Sequence, residues 1–412
     1  MYYFQKTIFK FLKLSGIIMS TLSFAITSRG DINISYYGQT IDDLVIQYME
    51  KNNIPGLSLS IVQAPYIPRI VAYGRSDNQT KRLTATNTVF NIGQITNAFT
   101  AVAIMQLKEE GKIKLNDSIT KYLINAPKKW DVIIIRDLMT HSSGLPSYDA
   151  VQGFDYNKKY TTSDIINLIK DQELLFEPGT QANASATDYY LLGLIIEKAS
   201  GMSYEDYVTQ NQIERVGLKN TFFISNQNTI KNEINNDTTP FKHNEFLHNP
   251  LFINPRELAT GYTEINGELA PSKTNSWSTT FANSGIVSSS QDISLWDISL
   301  AGDILVKDPK DRAFLYNPVK LKNGQIIPAN VGWFFPGHKG LMEIKGNIPG
   351  YSSFLSRFTD PSELLCVTLL VNKDNVADLD ILARKIAGAF ETNLAAPRGS
   401  AWSVTMQSPY SV

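Results

Sequence analysis

Two amide side chains three residues apart, Gln94 and Asn97, stand at the head of a long apolar run from Ala98 to Leu107. Carboxamides donate and accept hydrogen bonds, so this pair can hold a ligand. Neither group titrates near neutral pH, and neither attacks a carbonyl as a serine or cysteine would. Hydroxyls of the nucleophile type occur at Ser142, Ser143 and Ser185, with His141 beside the first two. Adjacency in sequence does not make a triad, which is defined by geometry, and no G-x-S-x-G elbow is present to support one. The histidines are His141, His243, His248 and His338. His243 and His248 are not in the H-E-x-x-H arrangement of a zinc helix, and both sit in a polar stretch, so no metal site is expected. There is no G-x-x-x-x-G-K-[ST] loop and no G-x-G-x-x-G, so no nucleotide cofactor is expected either.

The elements that must position these groups can be read from periodicity. The run from about Thr96 to Glu110 is apolar on most sides (Ala98, Phe99, Ala101, Val102, Ile104, Met105, Leu107), as a fully buried helix would be. A first helix is expected over residues 40–52, and strands over Gly56 to Val62 and Ile70 to Tyr73. A mostly helical block follows over about residues 95–215. Residues 222–282 are rich in Asn and Thr with few periodic runs, which predicts loops and rim insertions. Strands are expected again at Met342–Lys345, Tyr351–Phe358 and Leu364–Val371, then a last helix over about Val376 to Leu394.

Several segments, in this order, resemble the serine β-lactamase and penicillin-binding-protein superfamily. Phe90-Asn91-Ile92-Gly93-Gln94-Ile95-Thr96-Asn97-Ala98-Phe99-Thr100-Ala101 resembles F-x-I-G-S-x-T-K-x-F-T-A. Glu110 to Asp117 resembles E-G-K-L-x-L-x-D, and Ile135 to Pro146 resembles I-R-x-L-L-T-H-T-S-G-L-P. Pro178-Gly179, then Tyr189 to Glu197, resemble the family's Pro-Gly turn and Y-x-L-L-G-x-I-I-E helix. Gly217 to Thr221 is similar to G-M-x-x-T, and Ser284 to Asp292 to A-G-G-L-x-S-T-x-x-D. Gly346 to Ser353 is similar to G-G-x-P-G-F-x-S. The likeness covers about residues 40–390 and is nearest to the class C β-lactamase, D-Ala-D-Ala carboxypeptidase and esterase branch. It implies an α+β fold, with an antiparallel sheet flanked by helices beside a mostly helical subdomain and a cleft between them.

The resemblance also implies which positions would carry chemistry. The family's Ser-x-x-Lys falls on Gln94 and Asn97. Its Tyr-x-Asn falls on Ala184-Ser185-Ala186, so the acid/base and the substrate amide are both replaced by methyl groups. Its Lys/His-Thr-Gly falls on Ile344-Lys345-Gly346, placed by the Pro349-Gly350 that follows. His338-Lys339-Gly340 spells an alternative triplet but lacks that sequel. Strand alternation sets Ile344 and Lys345 on opposite faces. The two backbone donors of the family's oxyanion hole would belong to Gln94 and Asn347, and side-chain replacement does not remove them. Gln94, Asn347, Ser185 and Lys345 are therefore the expected ligand contacts.

Composition sets the remaining bounds. The 412 residues carry a net charge of −1, with 43% hydrophobic and 19% charged residues, an ordinary globular balance with no basic cluster for nucleic acid. Met1 to Ala25 reads as a secretory signal, with Lys6, Lys10 and Lys13 before a short apolar stretch and Ser23-Phe24-Ala25 as the cleavage site. An uncleaved N-terminal anchor is the alternative. Residues 26–39 read as a lead-in, 40–394 as the folded domain and 395–412 as a tail. The single cysteine, Cys366, cannot form an internal disulfide and lies in an apolar strand. Export to the periplasm or the medium is expected. Three functions are open at this point. One is an inactive binder of a peptidoglycan-derived peptide, a small molecule or a protein partner. Another is a hydrolase of the same superfamily using a different nucleophile. The third is a structural or assembly role in which the cleft is a relic.

Overall fold

The computed structural model describes residues 35–36, 39–63, 65–123, 125–226, 257–336, 340–359 and 364–391. The expected signal segment, most of the lead-in, the tail, and His243, His248 and His338 lie outside those residues.

Eight antiparallel strands form the central sheet. They are β1 (Gly56–Gln63), β2 (Tyr66–Asp77), β3 (Arg82–Leu83), β4 (Ala329–Asn330), β5 (Trp333–Phe334), β6 (Leu341–Ile348), β7 (Tyr351–Phe358) and β8 (Leu365–Val371). Their order across the sheet is β4-β5-β6-β7-β8-β1-β2-β3. N- and C-terminal parts of the domain thus meet at the sheet centre, where Val367 pairs with Ile61 and Leu369 with Leu59.

The alternation in β1 explains how both faces are covered. Leu57, Leu59 and Ile61 point one way into a core completed by helix α1 (Ile41–Lys51) and the last helix, Leu379–Phe390. Thr40 caps α1 by accepting from the Asp43 N–H while Asp43 answers the Thr40 N–H, a reciprocal capping box. Ser58 and Ser60 point the other way and meet the helix Ser290–Ala301. Their hydroxyl oxygens lie 2.8 Å from Ser290 Oγ and 2.6 Å from Ser294 Oγ. Small hydroxyl residues let that helix approach the sheet closely while satisfying one another.

Helix α2 (Thr96–Glu109) is buried from Thr96 through Leu107. An all-round apolar helix needs cover on every side. It receives this from the helices α3 (Ala186–Ser200) and α4 (Trp277–Ser284) and from Trp296, which stacks on Phe99 at 4.2 Å.

Three expectations need correction. β2 runs well beyond Ile70–Tyr73, because it pairs with β1 through almost its whole length. The stretch 257–284 is not all loop: Tyr262–Ile265 and Glu268–Pro271 form a hairpin, and α4 follows. Those strands are only four residues long, too short for period-two alternation to register. The last helix begins at Leu379, three residues later than expected, after Asp378 at φ +58.

Candidate ligand cleft

The turn Gly93–Ile95 leads directly into α2, and Gly93 adopts φ +51. Gly93 also lies against β6: a Cβ there would be 3.0 Å from the Asn347 nitrogen and 3.1 Å from Gly346 Cα. Reciprocally, a Cβ on Gly346 would come within 2.4 Å of the Ile92 carbonyl oxygen and 3.0 Å of the Gln94 nitrogen. Two glycines therefore let two backbones touch where any side chain would separate them. Ser353 Oγ donates to the Ile92 carbonyl at 2.7 Å, and the Gly93 N–H donates to Asn91 Oδ1 at 2.7 Å, fixing the turn from both sides.

The consequence of that approach is the central feature of the site. The Asn347 backbone N–H donates to Gln94 Oε1 at 2.7 Å. The carboxamide of Gln94 lies across the donor that the cleft would otherwise offer to a ligand. The Asn347 side chain is held away from it: Nδ2 donates to Asn375 Oδ1 at 2.8 Å, while Oδ1 accepts from the Asn375 N–H at 2.7 Å. Asn375 had no signal of its own in the sequence beyond lying in a short polar run after β8; its φ of +52 suits an asparagine.

Asn97 is buried at 3% exposure, and its Oδ1 has no hydrogen-bond partner among the described residues. The turn joining β4 to β5 closes over it. Val331 and Gly332 both take positive φ, +45 and +84, as a two-residue hairpin requires. A Cβ on Gly332 would lie 3.2 Å from Asn97 Cβ. This contact is another the sequence did not disclose.

Ser185 occupies the extended residue before α3 and is 3% exposed. Its hydroxyl finds no partner among the described residues, while its N–H donates to His141 Nδ1 at 3.4 Å. Ala186 is the first helical residue, its N–H donating to Ser147 Oγ at 2.8 Å. That hydroxyl is enclosed by the protein.

Neither Ser142 nor Ser143 forms a nucleophile–base pair with His141. His141 Nδ1 lies 2.8 Å from Asp188 Oδ2, and Ser143 Oγ donates to Asp188 Oδ1 at 2.5 Å. Both groups converge on one fully buried carboxyl, whose pKa burial pushes up against the lowering effect of His141. Ser142 Oγ instead lies 2.8 Å from Thr140 Oγ1 and donates to Asp137 Oδ1 at 3.4 Å. The arrangement staples the loop to α3. The helix Ile135–Met139 ends with His141 at φ +54. Gly144, at φ +75, is required further on because a Cβ would sit 2.3 Å from the Phe176 carbonyl oxygen.

On β6, Ile344 and Lys345 do face opposite ways. Ile344 is 2% exposed and joins the core containing Leu355, Cys366 and α2. Lys345 is exposed, on the face where its partner Phe354 packs with the terminal helices. Lys345 is therefore no cleft contact, which corrects its inclusion among the expected ligand residues. Burial pushes the Cys366 thiol well up, in keeping with an unreactive packed side chain. Among the described residues no three His, Cys, Asp or Glu converge as a metal site would require.

An eight-stranded antiparallel sheet with helices on both faces, a buried helix beginning under a glycine turn, and a cleft floor at β6 together define the β-lactamase/transpeptidase fold. The β-lactamase family model matches residues 41–389, so this chain belongs to that family. Penicillin-binding protein 4* of Bacillus subtilis (strain 168) is 28% identical over 326 residues, 77% of this chain and 68% of that protein. Protein flp of Staphylococcus aureus (strain MRSA252) is 31% identical over 199 residues, 47% of this chain and 40% of flp. The octameric penicillin-binding protein homologue from Pyrococcus abyssi superposes with a TM-score of 0.66 at 24% identity, over 86% of this chain and 76% of that one. D-amino acid amidase from Ochrobactrum anthropi SV3, complexed with L-phenylalanine, gives a TM-score of 0.68 at 19% identity, over 86% and 98% of the two chains. At those identities the likeness to the solved structures is one of fold.

Proposed function

We propose that this chain is a non-catalytic, exported member of the β-lactamase family that binds a peptide or amino-acyl ligand in the former catalytic cleft. The observation that carries the reading is the 2.7 Å hydrogen bond from the Asn347 N–H to Gln94 Oε1. A carboxamide carbonyl sits where an acyl oxygen would be received, on the residue that aligns with the family's nucleophile. A side-chain amide there forms no ester with a substrate, and Asn97 has no proton to accept or relay. Ala184 and Ala186 supply neither an acid nor an amide contact on the facing segment.

What remains is a groove offering the Asn347 backbone donor and the carboxamide of Gln94, with Asn97 enclosed beneath the Val331–Gly332 turn. Such a groove suits a neutral or anionic acyl group, and the amidase relative is itself complexed with an amino acid. The net contribution of one neutral hydrogen bond is about 1 kcal/mol, so Gln94 is a displaceable occupant rather than a permanent plug. The segment Met1 to Ala25, with Lys6, Lys10 and Lys13 ahead of a short apolar stretch, is what supports export.

The test is the double variant Gln94→Ser with Asn97→Lys. It restores the reactive pair but leaves Ala184 and Ala186 in place, and Gly332 still crowds position 97. The expected result is no turnover of a chromogenic cephalosporin or of a D-amino-acid amide above the unmodified protein. Steady hydrolysis by the double variant would show that a proton shuttle survives elsewhere in the cleft and would overturn this reading.

A further inference from the structure

A separate cavity of about 220 Å³ lies between the helix Ile135–Met139 and the excursion Phe314–Asn330. It shares no lining residue with the Gln94–Asn347 contact. Since about 10–15 Å³ of such volume already accommodates one water, it is large enough for a small organic ligand. Its chemistry is divided by depth. Asp137, Ser142 and Thr140 line it and are all buried, at 3%, 2% and 5% exposure. Arg136, Lys320 and Lys322 line it as well, and all three are exposed.

The partners of these groups show what is spare. Asp137 accepts the Ile134 N–H at 3.2 Å and the Ser142 hydroxyl at 3.4 Å, both long for a carboxylate that can accept about four hydrogen bonds. Lys322 Nζ is committed to the Pro178 carbonyl at 2.6 Å. Arg136 and Lys320 make no side-chain hydrogen bond or ion pair with the described residues. A buried acid below two uncommitted cations fits neither a simple anion nor a simple cation, since each would meet a like charge.

We propose that this cavity binds a free α-amino acid of small side chain, its ammonium on Asp137 and its carboxylate toward Lys320 and Arg136. The zwitterion is the smallest common species that presents both charges on one tetrahedral carbon. Burial of Asp137 tends to raise its pKa, and the neighbouring Lys322 and Arg136 act against that; an ammonium would act in the same direction as those cations.

Titration calorimetry of the folded protein with glycine, L-alanine and D-alanine tests this, with acetate and ethylamine as the two half-ligands. Expected is saturable binding of at least one amino acid, at least tenfold tighter than either half-ligand. Lys320→Gln and Asp137→Asn should each weaken it at least tenfold, and Gln94→Ala should leave it unchanged. Because Asp137 also caps its helix, the exposed Lys320→Gln variant decides the matter where Asp137→Asn does not fold. The proposal is overturned by no heat at 10 mM amino acid, by acetate or ethylamine binding equally well, or by a Lys320→Gln protein that binds as before. Binding that tightens in Gln94→Ala would place the ligand in the main cleft instead, leaving the reading of that cleft intact and this one rejected.

Discussion

Asp297→Ala is expected to lower the stability of the folded domain by about 3–5 kcal/mol, the usual cost of stranding one partner of a buried ion pair. Asp297 lies on the helix Ser290–Ala301 and Arg357 on β7, at 4% and 5% exposure. Arg357 Nε donates to Asp297 Oδ1 at 2.6 Å, and its Nη2 donates to the same oxygen and to the Asp297 carbonyl. Trp333 and Tyr316 present their rings at 5.5 and 5.2 Å from the guanidinium carbon. Removing the carboxylate leaves a buried guanidinium beside aromatic rings without its charge partner. The urea midpoint reads the loss. Replacing both residues together, Asp297→Leu with Arg357→Met, should recover most of it, since a packed apolar pair avoids the desolvation of two ions. A single-variant loss below about 1 kcal/mol would mean that solvent reaches the pair.

Gln94→Ala is expected to tighten binding of an acyl ligand about five- to tenfold. The change removes the internal acceptor from the Asn347 N–H, so an incoming carboxylate or carbonyl no longer has to displace it, and about 1 kcal/mol of competition disappears. Gln94 is only half-buried and forms no part of the packed interior of α2, so the fold should tolerate the loss. N-acetyl-D-Ala-D-Ala and its reduced, carbonyl-free analogue form the natural probe pair, read by ligand-induced thermal stabilisation. The gain should appear for the first and not the second. Weaker binding in Gln94→Ala would mean that the carboxamide contacts the ligand rather than competing with it.

Much of this architecture was legible in the order of its motifs. The all-round apolar run after Thr96 requires a buried helix, and Pro349-Gly350 marks the turn between β6 and β7, so both walls of the cleft could be placed. The occupancy of the cleft could not. The Gln94–Asn347 hydrogen bond joins residues 253 apart in the chain, and only the close backbone approach at Gly93 and Gly346 brings it about. Nor could the closure of Val331-Gly332 over Asn97, since a two-residue hairpin carries no periodicity. Lys345 was misjudged for a simpler reason. A strand's alternation says that two neighbours face apart but not which of them faces the cleft, and the covering of Ile344 by α2 and Leu355 decides it.

The central claim is that the cleft no longer performs covalent chemistry. Its most direct test is the intact mass of the folded protein after incubation with a penicillin and, separately, with a serine-reactive fluorophosphonate, beside an active relative as positive control. The expected result is an unchanged mass for this chain under conditions in which the relative is fully labelled. A stoichiometric adduct would contradict the account, and peptide mapping of that adduct would name the nucleophile that Gln94 has not supplied.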